Sequence, residues 1–378
     1  MRPLPCLGAA SVLFALAFMC AARPSAARLC LPPLFENGQR LHPLTDVRLM
    51  WLEPLLRQHE ICWRDKASDV RIALFGDSAV FGFPLPADQS FSALLNAQFA
   101  AARLPAHIFN LAWVFTYQPR DALILHESLA YEPDLIVYVL TLVNLMHVAP
   151  APYPFPLVRF FELNTEALTR LTAAPPPGLA EPFELYRQVA DRSIWLVATD
   201  RLRQLGYLTH AVFHSLANDM TRRLGAEPPP EPLPAPTHLA AYDCQATLKQ
   251  NATMFRDFES WNPLEDLAAI RARTGTDVLV INWPDAAEPR GRCFNRRYGA
   301  ALIHEYNRWL GEETARLGLP YLDLQDLLAP SEFIDSLHVT ADGHRQIAER
   351  VAQALEPLVQ ARLAAGHGAA ARAPVERP

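Results

Sequence analysis

Short, almost wholly apolar runs alternate along this chain with stretches whose apolar residues recur at helical spacing. Val70-Arg71-Ile72-Ala73-Leu74-Phe75 stops at Gly76. Asp134 opens Leu135-Ile136-Val137-Tyr138-Val139-Leu140, and Asp277-Val278-Leu279-Val280-Ile281 repeats the form. A strand that is apolar on both faces has no side to show to water, which is the condition of a parallel sheet covered on both sides. The intervening segments supply the cover. Phe91, Leu94, Leu95 and Phe99 mark a helix with Asp88 or Ser90 as N-cap, and Asp121 to Leu129, Leu264 to Arg273 and Arg297 to Leu317 read as further helices. His107 to Ala112 and Tyr321 to Leu324 read as shorter strands, and Ile347, Val351 and Leu355 form the stripe of a closing helix that Pro357 is expected to end. Strand and helix in alternation predict an α/β fold with a parallel sheet.

The alternation breaks between Ala149 and Trp261, where Pro150 to Pro156, Pro175 to Pro182 and Pro228 to Pro236 interrupt the chain. Ile194, Val197, Leu202, Leu205 and Leu208 suggest one or two amphipathic helices there. The segment reads as a helical insertion, either a lid over the site or a packing appendage or partner surface. With 378 residues, the chain is long enough for one large domain carrying such an insertion. Its net charge of -6, with no basic patch interleaved with aromatics, gives no electrostatic case for nucleic acid. The final stretch, Gly366 to Pro378, is rich in Ala, Arg and Pro and reads as a disordered tail.

Arg2, the apolar run Leu7 to Ala22 and the small residues Ser25-Ala26-Ala27 have the order of a secretory signal peptide. The run is short for a spanning helix, and the alternative is an uncleaved N-terminal membrane anchor. Cys20 follows Phe18-Met19 rather than the small residues that a lipid-attachment cysteine wants. Once a signal is removed, Cys30, Cys62, Cys244 and Cys293 remain. An even number in an exported chain suggests two disulfides, with Cys30–Cys62 and Cys244–Cys293 as the sequence-local pairing; buried free thiols are the alternative. No C-x-x-C spacing points to zinc.

Three residues carry the chemistry. Ser78, two positions after Gly76, falls where a strand gives way to a loop or helix, and active groups in α/β sheets collect at such carboxyl ends. Asp335 and His338 lie three apart, the spacing that sets two side chains side by side in a helical turn. A serine with an imidazole oriented by a carboxylate is an activated nucleophile. Each part taken alone has an ordinary reading: a capping serine, a surface Asp and His in a loop. His344 is a weaker candidate in the first turn of the closing helix. Asn144, ending Thr141-Leu142-Val143-Asn144, places an amide donor at a strand's carboxyl end. Trp283, in Asn282-Trp283-Pro284, is a candidate for the substrate rim, where it could stack on a sugar, with a core Trp as the alternative.

Together these stretches resemble the GDSL/SGNH superfamily of serine esterases and acyltransferases, in the family's order. Gly76-Asp77-Ser78, Phe81-Gly82 and Phe91-Ser92-Ala93-Leu94-Leu95 resemble the nucleophile block. Asn110-Leu111-Ala112 resembles the start of the second block and Asn144 the third. Asp335, His338, Thr340, Gly343 and His344 resemble the last. The likeness covers about Val70 to His147 and Asp277 to Leu355. It implies a three-layer α/β/α sandwich, flavodoxin-like, with Ser78 as nucleophile, His338 as general base and Asp335 as its orienting carboxylate. The oxyanion hole would be the Ser78 N–H, the Asn144 side chain and one second-block N–H. The glycine that usually gives that last donor falls at Phe115 here, and the third block carries Leu142 and Leu145 in place of its usual glycine and aspartate.

The expected organisation is a signal peptide or anchor over 1–27, an N-terminal arm over 28–69, the α/β domain over 70–149 and 262–360, the insertion over 150–261, and a tail over 361–378. The expected function is an exported serine esterase, periplasmic or in the cell envelope, removing an acyl group such as acetyl from a glycan. An O-acyltransferase using the same triad, and a non-catalytic envelope binding protein, are the alternatives. No cofactor is implied; the partner is an acylated glycan or other ester substrate, with membrane contact only through an uncleaved N-terminus.

Overall fold

The computed structural model describes residues 52, 56, 59–63, 69–82, 85–112, 118–142, 164–173, 175, 176, 180, 184, 262–286 and 300–365. Its centre is a parallel sheet of β1 (Val70–Phe75), β2 (Ala106–Asn110), β3 (Leu135–Leu140), β4 (Asp277–Asn282) and β5 (Tyr321–Asp323). Their order across the sheet is β2-β1-β3-β4-β5. The chain therefore steps from β1 to β2 on one side, then returns to place β3 on the other. That reversal opens a crevice at the carboxyl end of β1, the place where doubly wound sheets bind their ligands.

The strands alternate residue by residue between two cores. Ile72 and Leu74 of β1 face one core, with Val137 and Val139 of β3 beside them. Over it pack α3 (Phe91–Ala101) through Phe91, Leu95 and Phe99, and α8 (Ala341–Ala364) through Ile347, Val351, Leu355 and Val359. Ala73, Phe75, Ile136 and Tyr138 face the other core, which is covered by α4 (Gln118–Ser128), α6 (Pro263–Thr274) and α7 (Ala300–Arg316). This two-sided cover is why the strands read as unbroken apolar runs. Each fully buried Leu, Ile or Phe in these layers contributes about 1.5–3 kcal/mol.

Helix ends follow the local chemistry. Ser90 caps α3 by accepting from Ala93 N. Asn262 caps α6 by accepting from Leu264 N, Pro263 fills the first helical position, and Gly275 closes the helix at φ 66°. Pro357 does not end the closing helix: α8 runs on to Ala364. The proline removes one backbone hydrogen bond, a local penalty of about 3 kcal/mol. Tertiary contacts on both sides offset it. Leu355 and Val359 are buried, while Arg362 donates to Asp277 and to the Gly275 carbonyl.

Around this frame, α1 (Glu60–Trp63) belongs to the N-terminal arm and α5 (Thr165–Ala173) to the insertion. Helix α5 buries Ala167, Leu168 and Leu171 in the core beneath α4, and Arg170 pairs with Glu127 at 2.8 Å. This part of the insertion is packed onto the domain; most of the remainder, with the lid reading, lies outside the described residues. Cys62 is disulfide-bonded, to a partner outside them. Residues 1–27 and the tail from 366 also lie outside. Among the described residues no helix is long and apolar enough to cross a membrane.

Candidate active site

The turn that carries Ser78 is built by close approach. After β1 the chain passes Gly76 and Asp77 into the short helix α2 (Ser78–Phe81). A Cβ on Gly76 would lie 2.5 Å from Val80 Cγ2 and 2.8 Å from Val80 Cβ, so only glycine lets the helix fold back against the strand end. Asp77 is the cap: its Oδ1 accepts from Ala79 N at 2.9 Å, and its Oδ2 accepts from Thr141 Oγ1 at 2.5 Å. Burial pushes the Asp77 carboxyl up, against the opposing pull of Thr141 and the backbone donors. Ser78 is the first helical residue, so its N–H has no intrahelical acceptor. Asn110, at the end of β2, braces the other flank. Its Nδ2 donates to the Val80 carbonyl at 3.2 Å and to Ser92 Oγ at 3.0 Å, and its Oδ1 accepts from Ala112 N.

Asp335 and His338 do not share a helical turn. They sit in an irregular loop between the short 3₁₀ turn Pro330–Glu332 and α8. The loop is closed by a bridge between Phe333 and Val339, by Ile334 N donating to the His338 carbonyl at 2.7 Å and by Thr340 N donating to Glu332 O at 2.8 Å. Asp335 spends one oxygen on local geometry: Oδ1 accepts from Leu337 N at 2.9 Å and from His338 N at 2.8 Å. That Asx-type turn does what a helix would have done, bringing the imidazole back beside its carboxylate. Oδ2 then accepts from His338 Nδ1 at 2.7 Å. Burial by itself would raise the Asp335 carboxyl; hydrogen bonding and charge from His338, with the two backbone donors, hold it below the ordinary carboxylate value.

The other imidazole nitrogen, Nε2, lies 2.8 Å from Ser78 Oγ, joining groups 260 residues apart. Ser78 Oγ, His338 and Asp335 thus form one hydrogen-bonded chain at the switch point of the sheet. The described residues form a parallel sheet covered by helices on both faces, as the resemblance to the GDSL/SGNH superfamily implies. Strand order, the serine after β1 and the Asp-x-x-His loop before the last helix all agree with that likeness.

No family model matches the chain, and neither does any curated protein. Solved structures do, at low identity. A lipase/acylhydrolase from Enterococcus faecalis is 14% identical over 76% of this chain and 95% of its own, with a TM-score of 0.39. A carbohydrate acetylesterase family member from Sinorhizobium meliloti is 14% identical over 78% and 99%, with a TM-score of 0.35. A member of the lipolytic protein G-D-S-L family from Veillonella parvula is 10% identical over 75% and 97%, with a TM-score of 0.36.

Other candidate residues fall elsewhere. Trp283 is not at a substrate rim. It is fully buried, edge-on to Phe91 at 5.6 Å and to His344 at 5.7 Å, and its Nε1 donates to the Leu337 carbonyl at 3.0 Å. The apolar core claims the ring, and its one polar atom holds the His338 loop. His344 is likewise buried in the first turn of α8 and serves packing. Asn144 and Phe115, expected at the oxyanion hole, lie outside the described residues. Among the described residues no three His, Cys, Asp or Glu side chains converge as a metal site.

Several residues around the site are not found by reading for a triad. Gly343 lets α8 start against the loop: a Cβ there would lie 3.0 Å from Val339 Cβ and 3.2 Å from Glu332 O. Thr340 caps α8 by accepting from Gly343 N, and its hydroxyl donates to Glu332 Oε2 at 2.5 Å. Asp285, buried in the loop after β4, faces Asp77 and Asp335, and its carboxyl is pushed up to about 8, first by burial and then by those charges. Its position just beyond a strand's carboxyl end was the available signal.

Proposed function

We propose that this protein is a serine esterase that cleaves an acyl ester through a covalent acyl-enzyme, with Ser78 as nucleophile, His338 as general base and Asp335 as its orienting group. The observation that carries the reading is the unbroken chain from Asp335 Oδ2 through both ring nitrogens of His338 to Ser78 Oγ, at 2.7 and 2.8 Å. With Nδ1–H donated to Asp335, Nε2 is left as the acceptor for the serine proton. Ser78 Oγ attacks the ester carbonyl carbon as Nε2 takes its proton, and the carbonyl oxygen becomes an oxyanion. The Ser78 N–H, unclaimed by its own helix, is one donor for that charge; Asn144 and the Phe115 N–H are the expected others. Collapse of the tetrahedral intermediate breaks the bond to the leaving oxygen, which takes the proton from Nε2. Water then repeats the sequence, releasing the acid and restoring Ser78.

The proposed substrate is a small acyl group, such as acetyl, on an exported glycan, and the proposed location is the periplasm or cell envelope. The disulfide at Cys62 supports an oxidising compartment. The test is a panel of acyl esters, from short chromogenic esters to acetylated polysaccharide, incubated with the wild type and with Ser78→Ala. Hydrolysis by the wild type that Ser78→Ala abolishes is the expected result; equal rates for the two proteins would overturn the reading.

A further inference from the structure

The loop after β4 holds the His338 loop in place. Its backbone continues the sheet, with Trp283 N donating to Leu140 O at 2.9 Å. From there two hydrogen bonds cross to the residues between Asp335 and His338: Trp283 Nε1 to Leu337 O at 3.0 Å, and Ala286 N to Ser336 O at 2.9 Å. Asp285 sits between those two contacts. Gln325, beyond β5, clasps its main chain by donating to Asp285 O at 2.6 Å.

The Asp285 side chain, by contrast, has no counter-ion among the described residues. The residue is 2% exposed, and neither carboxyl oxygen completes a hydrogen bond among the described residues. The Leu142 N–H, two residues beyond β3, bears on the carboxyl and favours its charged form without meeting hydrogen-bond geometry. The charges that bear on it are carboxylates: Asp77 beyond β1 and Asp335 in the His338 loop. From α7, Tyr306 faces the same pocket; its buried hydroxyl also lacks a partner among the described residues and is itself held neutral, far above its ordinary value, by burial and by Asp285. A buried carboxylate with no cation and two like charges nearby is strongly disfavoured, whereas a neutral carboxyl in the same place is tolerated.

We propose that Asp285 is a positioning residue that works in its neutral, protonated form, keeping the 283–286 loop seated against the His338 loop, and that its ionisation sets the alkaline limit of the enzyme. Losing the proton places a third negative charge among Asp77 and Asp335 and drives the 283–286 loop toward water. The Ala286–Ser336 and Trp283–Leu337 contacts then loosen, and His338 Nε2 leaves Ser78 Oγ. The direction agrees with a carboxyl that titrates at about 8 rather than near 3.8. The proposal rests on the esterase reading for its activity arm only.

Asp285→Asn is the test, because the amide matches the protonated acid in shape and cannot ionise. The wild type and the variant are compared in two arms between pH 5 and 10. In the first, kcat/KM on a chromogenic short-chain ester falls in the wild type by about tenfold per pH unit above its alkaline inflection, while the variant, slightly slower at pH 7, holds its plateau. In the second, the urea midpoint is followed without substrate. A carboxyl raised in the folded state contributes stability that is present at low pH and lost as pH rises through its folded value. The wild type therefore weakens relative to the variant from pH 5 to about pH 8, and the gap is constant above that. The same alkaline limb in both proteins, or a gap that does not change with pH, would overturn the proposal. Hydrolysis by neither protein would instead overturn the esterase reading, and the urea arm would still decide whether Asp285 is neutral. Loss of folding in Asp285→Asn and in Asp285→Ser alike contradicts a neutral-acid role.

Discussion

The two halves of the site are held by different physics. Ser78 is placed by backbone packing: a strand end, a glycine with no room for a methyl group, and a one-turn helix capped by Asp77. Asp335 and His338 are placed by polar contacts within an irregular loop, and by the Trp283 and Ala286 hydrogen bonds from its neighbour. Ser78 is thus tied to the end of the sheet, while His338 depends on hydrogen bonds that substitution or pH can undo. Removing a packing constraint should affect fold and rate together. Removing a polar one should affect rate first.

Substitutions on the two sides break or sharpen that contrast. Ser78→Ala should lower kcat by on the order of 10⁶ with an unchanged melting temperature, since the methyl side chain fits the same turn; calorimetry with ester kinetics checks both. Asp335→Asn keeps the Oδ1 acceptor for the Leu337 and His338 amides but no longer stabilises the imidazolium, so kcat should drop by about 10⁴. It also sharpens a pH effect. Because the Asp335 carboxyl is held below its ordinary value, it contributes stability that is present above 3.8 and lost as pH falls through its lower folded value. Acid titration of the urea midpoint should accordingly be flatter in Asp335→Asn than in the wild type.

Gly76→Ala tests the packing side. The new methyl group meets Val80 at 2.5 Å, so the turn must move, with a loss of about 1–3 kcal/mol in denaturant stability. A shift of the serine on that scale should lower kcat by about 10². Trp283→Phe has the smallest expected effect. It keeps the ring and leaves the Leu337 carbonyl unpaired, so urea-unfolding stability should fall by about 1 kcal/mol, the low end of the range for a buried acceptor left without its donor.

The same contrast explains what could be read from the sequence. Almost wholly apolar strands, and a serine just past Gly76, are local signals, and they located the sheet and the Ser78 turn. The Asp-x-x-His pair was also legible, but its geometry was not. The three-residue spacing suggested a helix, whereas an Asx turn produces the same proximity from two backbone N–H groups. An aromatic next to Asn282 and Pro284 looks like a loop residue at the rim, and only the tertiary fold shows one core, with Phe91 and His344, closing over Trp283. Pro357 follows the same logic: local propensity predicts a stop, and the buried Leu355 and Val359 override it. Asp285 carried no motif at all, since what distinguishes it is which carboxylates end up beside it.

The central claim is that His338 activates Ser78 as a nucleophile. Labelling with a serine-reactive fluorophosphonate, followed by intact-mass measurement and peptide mapping, tests it most directly. The account predicts a single adduct on Ser78 in the wild type, none in Ser78→Ala, and labelling slowed by at least about 10²-fold in His338→Ala. A wild type that stays unlabelled under conditions that modify a control esterase, or an adduct mapped to another residue, would contradict it.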